Sequence, residues 1–189
     1  MKRLALVALI PVASPAMAHV DPLAHGSLAS GFAHPLLGAD HLLAMVAVGL
    51  WAFLLAGRAV WFLPVAFVGA MLGGFALSRA GIALPGVEPM ILASVMVLGL
   101  MVAAATRLAL VIAVPMVAVL GLFHGFAHGS EMGAASLAPF VAGFGLATAA
   151  LHLAGVAGGL VLTRFGGLTA TRGAGAMVVA LGSAIAVLG

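Results

Sequence analysis

From residue 30 onward the chain alternates long apolar runs with brief links. The apolar segments lie near 30–57, 59–78, 88–105, 108–130, 136–163 and 173–189. They are rich in Gly and Ala and lack the period-two alternation of strands, so they read as helices. Each approaches the roughly 20 residues that a helix needs to cross a bilayer core. The pattern predicts an all-α, polytopic membrane protein, a bundle of six transmembrane helices forming one domain over residues 19–189. Short links suit antiparallel neighbours.

Residues 1–18 read as a secretory signal peptide. Lys2 and Arg3 form a basic start, Leu4 to Ile10 an apolar stretch, and Ala16-Met17-Ala18 a small-x-small cleavage pattern. Cleavage would leave His19 at the mature N-terminus; an uncleaved first anchor is the alternative. Either way His19 falls on the outer face. The links on the opposite side then contain Arg58, Arg107, Arg164 and Arg172, and the outer links only Arg79. Basic residues favour the cytoplasmic side. The expected topology is therefore multi-pass in the cytoplasmic (inner) membrane, with the mature N-terminus and the C-terminus periplasmic. Trp51, Phe53, Trp61 and Phe62 around Arg58 read as an interfacial aromatic belt.

Composition agrees and removes several classes. The chain of 189 residues is 65% apolar and 6% charged, against about 25% charged in soluble domains. It has no cysteine, which excludes disulfides, thiolate metal sites and thiol catalysis. No basic patch with interleaved aromatics points to nucleic acid. The ten methionines are scattered through apolar runs and read as packing.

Against this background two polar stretches stand out. His34-Pro35-Leu36-Leu37-Gly38-Ala39-Asp40-His41 opens the first segment, and His124-Gly125-Phe126-Ala127-His128-Gly129-Ser130-Glu131 closes the fourth. They hold four of the seven histidines and two of the four acids. His124, His128 and Glu131 fall on one helix face, and a continuous first helix would place His34 and His41 two turns apart on one stripe. Pro35 cannot donate to the carbonyl of Gly31, so that helix should bend or restart there. With Glu88 opening the third segment, every membrane-level acid lies in one outer layer. A charged Asp at a helix centre costs roughly 2.5–3.5 kcal/mol, which makes intramembrane acids functional candidates. No Lys or Arg lies at this depth to pair with Asp40 or Glu131, so a bound cation, protons or water must offset them. Imidazole and carboxylate ligands without sulfur suit Ni²⁺, Co²⁺, Zn²⁺ or Cu²⁺. His19 and His25, with Asp21, could add an outer chelate, or be a polar tail. His152, alone in the fifth segment, reads as a hydrogen-bonded packing histidine, with a metal ligand as the alternative. Gly121, Gly125 and Gly129, and likewise Gly69/Gly73 and Gly155/Gly159, are small-residue stripes for close helix packing.

At these residues the sequence resembles the HupE/UreJ family. That family's His-Pro-x-x-Gly-x-Asp-His signature reads as His34, Pro35, Gly38, Asp40 and His41. Its Phe-His-Gly-x-Ala-His-Gly-x-Glu signature reads as Phe123, His124, Gly125, Ala127, His128, Gly129 and Glu131. The resemblance covers essentially the whole chain. It implies a permease for nickel, or cobalt, across the cytoplasmic membrane, feeding hydrogenase or urease. The implied metal-handling positions are His34, Asp40, His41, His124, His128 and Glu131, with Glu88 as a further one.

The expectation is therefore a secondary permease with no prosthetic group, not an enzyme, that carries Ni²⁺ or Co²⁺ as its transported ion. No P-loop pattern is present, so this chain does not hydrolyse ATP. The alternative is a membrane-embedded zinc-dependent hydrolase with Glu88 as base; the His-Glu-x-x-His motif of zinc peptidases is absent. Expected partners are a divalent metal ion, the lipid bilayer and, indirectly, nickel-enzyme maturation proteins, with a homo-oligomer left open and nucleic acid excluded.

Overall fold

The computed structural model describes residues 27–132 and 136–188, and within them every element is an α-helix: α1 Leu28–Leu37, α2 Ala39–Leu55, α3 Ala59–Arg79, α4 Val87–Ala103, α5 Leu110–Glu131 and α6 Leu137–Leu188. The signal-peptide segment, His19, Asp21 and His25 lie outside the described residues. Helix is the form such apolar sequence must take in lipid, because it satisfies each backbone N–H and C=O within the segment. By length and composition α3, α5 and α6 can each cross a membrane, and the bent pair α1–α2 can do so as one unit; α4 is apolar over 17 residues. The chain is a multi-pass membrane protein. Apolar side chains cover its outside, among them Val65, Val111 and Leu160, as a lipid-facing surface requires.

The first predicted segment is not one helix. It breaks at Gly38, where the backbone is extended (φ −89°, ψ 114°), and α1 meets α2 at 88°. Pro35 does not mark this break but lies buried within α1. His34 and His41 consequently belong to different helices rather than to one stripe. The last link is also revised. Residues 164–172 are helical apart from Gly167, whose φ of 68° and ψ of −173° lie in a region essentially reserved for glycine. The Thr163 and Thr171 hydroxyls hydrogen-bond at 2.8 Å across it. Eight residues of straight helix would span about 12 Å, so the chain reverses there, and α6 comprises two arms.

Close helix pairs fix the relative directions. Gly121, Gly125 and Gly129 of α5 rest on Phe67, Met71 and Phe75 of α3, rising together, so these helices run parallel. Gly49 of α2 and Gly155 of α6 pack on each other's backbone, with Val46 and Phe53 against Gly155 and Gly159, again parallel. In the second arm of α6, Gly175 meets Ala103 of α4 and Gly182 meets Val95, which is antiparallel. These pairings agree with alternating segments. Gly69 and Gly73, in contrast, face nothing within 4 Å among the described residues. The aromatic belt holds only in part: Trp61 is 65% exposed, but Trp51 is fully buried, and its indole N–H donates to the Thr106 carbonyl at 2.9 Å.

Candidate metal site

The Gly38 break builds the site. It turns α1 away from the axis of α2, so that His34 and His41 reach the end of α5 from two different helices. Gly31 and Gly143 hold α1 against the start of α6 through backbone contacts with Phe140 and Leu28. The Arg79 guanidinium donates to the Met132 carbonyl at 3.1 Å and ties the end of α3 to the end of α5 beside Glu131.

A cavity of about 350 Å³ opens there, lined by His34, Leu37, Gly38, Asp40, His41, Glu88, His128 and Glu131. The three acids predicted to share one layer thus face one space. His34 Nε2 stands 2.8 Å from Glu131 Oε2, and His128 Nδ1 stands 3.6 Å from the same oxygen. One ligand atom from each of these three residues fits within a 4.8 Å group. Adjacent ligands about 2.1 Å from one ion stand roughly 3 Å apart, so the group is near coordinating size before any ion enters. Glu88 is exposed at the cavity wall and is not part of this group.

Beneath the rim lies a cluster of imidazoles. The His41 ring is 4.3 Å from that of His128 and 4.6 Å from that of His124, centroid to centroid. Asp40, in the first turn of α2 where the helix dipole favours a carboxylate, accepts from the His41 backbone N–H at 2.7 Å and from its Nδ1 at 2.8 Å. With Nδ1 donating, Nε2 of His41 carries the lone pair, and it is buried with no partner among the described residues. This is the carboxylate–histidine arrangement that sets the tautomer of metal-binding imidazoles.

His124 is set the same way by a different residue. The Ser94 hydroxyl donates to the Ile91 carbonyl at 2.5 Å, so its oxygen is left to accept from His124 Nε2 at 2.7 Å. His124 Nδ1 then carries the lone pair, also buried without a partner among the described residues. Sequence reasoning missed Ser94. A single serine in an apolar helix gives no signal of a partner on another helix. Phe140 packs on His34, and Phe144 on His128, so the α6 face closes the cluster on that side.

His152 differs from its expectation. It is fully buried, but both ring nitrogens lack a hydrogen-bond partner among the described residues.

Comparison with known proteins gives the ancestry of this arrangement. The family model described as HupE / UreJ protein matches residues 7–185. The chain belongs to the HupE/UreJ family. A curated relative, Protein HupE of Rhizobium leguminosarum bv. viciae, is 46% identical over 184 residues, covering 96% of this chain and 95% of the relative. No solved structure matches the chain. In this HupE/UreJ protein, both sequence signatures converge on one cavity although the first of them spans the break at Gly38.

Proposed function

We propose that the protein is a secondary permease for Ni²⁺, or Co²⁺, in the cytoplasmic membrane, and that residues His34, Asp40, His41, Glu88, His124, His128 and Glu131 handle the ion. The observation that carries this reading is the graded cavity. An open rim of His34 and Glu131 leads to buried imidazoles whose lone pairs have no hydrogen-bond partner among the described residues. The rim captures a hydrated cation with carboxylate charge; the imidazoles below replace its lost water with nitrogen ligands. Neutral nitrogen ligands hold late first-row ions without fixing them as thiolates would, and permeation requires binding weak enough for release. Membership of the HupE/UreJ family supports the same reading.

In this proposal residues 1–18 are a removed leader, both mature termini are periplasmic, and the cavity opens outward. The ion passes inward to the maturation of a nickel enzyme such as hydrogenase or urease. The zinc-hydrolase alternative gains no support from the arrangement, because exposed Glu88, its base, is not grouped with His34, His128 and Glu131.

Purified protein in liposomes is expected to move Ni²⁺ inward, and His128→Ala to abolish the flux. Wild-type protein that moves neither Ni²⁺ nor Co²⁺, yet retains one tight zinc per chain through purification, would refute the proposal in favour of the hydrolase.

A further inference from the structure

His152 is the buried histidine that the outer site does not use. A neutral imidazole carries one N–H and one lone pair. Both are normally paired when buried, since an unpaired polar atom in an apolar interior costs stability. Neither is paired here among the described residues. A residue kept in this state for packing alone is worse than leucine, which fills similar space without polar atoms.

Its position suggests what it is for. Phe144 of α6 packs on His128 of α5. From that level His152 lies 8 residues further along α6 and His124 lies 4 residues back along α5, so at 1.5 Å per residue His152 is the deeper of the two by about 6 Å. The ring of Phe67 touches both, with centroids 5.4 Å from His124 and 5.1 Å from His152. His152 therefore continues the imidazole series beyond Phe67. Thr148, one turn earlier on the same face of α6, is fully buried and donates its hydroxyl to the Met71 sulfur at 3.6 Å. Thr148 and Met71 thus bring an oxygen and a thioether sulfur together in the interior, one helical turn along α6 from His152. Late first-row cations accept nitrogen and thioether ligands, and packing alone is an incomplete account of Met71.

We propose that His152, with Thr148 and Met71, forms a second and deeper cation station, which receives the ion from His124 past Phe67. The inference rests on the permease reading and extends it inward. Two stations at different depths let an arriving ion at the outer one promote departure from the inner one, which reconciles capture with release.

The test uses the full chain in lipid nanodiscs and liposomes, with Ni²⁺ and Co²⁺ salts as probes. Wild-type protein should bind two ions, and His152→Leu only one, with unchanged affinity at the retained outer site. Inward flux through His152→Leu should fall by about tenfold or more, while its thermal midpoint stays the same or rises because two unpaired atoms are gone. His152→Gln, which keeps polarity but is a poor ligand for these ions, should lose flux equally and decides the matter if the leucine variant does not fold. A single bound ion in wild type, or flux within about twofold of wild type in either folded variant, would make His152 a water-satisfied packing residue and overturn the inference. Wild-type protein without flux ends the permease reading itself, a different result from active wild type with active variants.

Discussion

Asp40→Asn tests the link between local geometry and ion binding. Asp40 Oδ1 accepts two hydrogen bonds from His41, and one of them places the ring proton on Nδ1. Asparagine keeps an oxygen at that point but removes the charge, so His41 Nε2 becomes a weaker donor to a cation. Loss of such a partner behind a ligating histidine typically costs about 10–100-fold in metal affinity, or roughly 1.4–2.8 kcal/mol. Asp40→Ala removes the acceptor as well, frees the tautomer and should reach the upper end of that range. The measurement is Ni²⁺ titration by calorimetry in nanodiscs, with helical content checked by circular dichroism. If both variants fold and bind Ni²⁺ within about twofold of wild type, the Asp40–His41 pair does not serve the ion and the tautomer argument fails.

Ser94→Ala should act on His124 in the same sense. With the acceptor of Nε2 gone, a buried donor is left unpaired, lowering stability by about 1–3 kcal/mol. Nickel affinity should fall with it, and Ser94→Thr should restore both in a calorimetric comparison. The packing of α5 on α3 predicts opposite outcomes for two similar changes. A Cβ at Gly125 would collide with the Met71 backbone, whereas one at Gly69 meets nothing within 4 Å among the described residues. Gly125→Ala should cost about 1–3 kcal/mol or more, and Gly69→Ala should stay within about 0.5 kcal/mol, both read from thermal melts in detergent. Because the chain has no cysteine, a single introduced one reports topology. Ile82→Cys, in the link before α4, should react with a membrane-impermeant maleimide added outside intact cells; Ala104→Cys, at the far end of α4, should not. Labelling of Ala104→Cys alone would invert the proposed orientation.

How much of this was legible from the residues depended on how far apart the interacting parts lie. The six apolar segments each correspond to helix in the structure, because hydrophobic length is a local property that lipid enforces on every span. The convergence of Asp40, Glu88 and Glu131 on one layer followed from counting residues along alternating spans. Detailed periodicity was less reliable. Placing His34 and His41 on one stripe assumed a continuous helix, and the assumption failed at Gly38. Pro35 drew attention because it lacks an N–H, yet a proline near the end of a short helix sacrifices a single hydrogen bond. Gly38 matters more, since a Cβ there would stand 3.1 Å from both Asp40 Oδ1 and His41 Nδ1, crowding the pair it brings together. Ser94 and His152 were illegible for a further reason. Their significance lies in which nitrogen of a histidine is paired, or that none is, and this is decided by neighbours on other helices. Spacing along one chain can locate ligands. Their protonated and bare nitrogens become readable only once the helices are assembled around them, and it is on those bare nitrogens that the proposed cation binding rests.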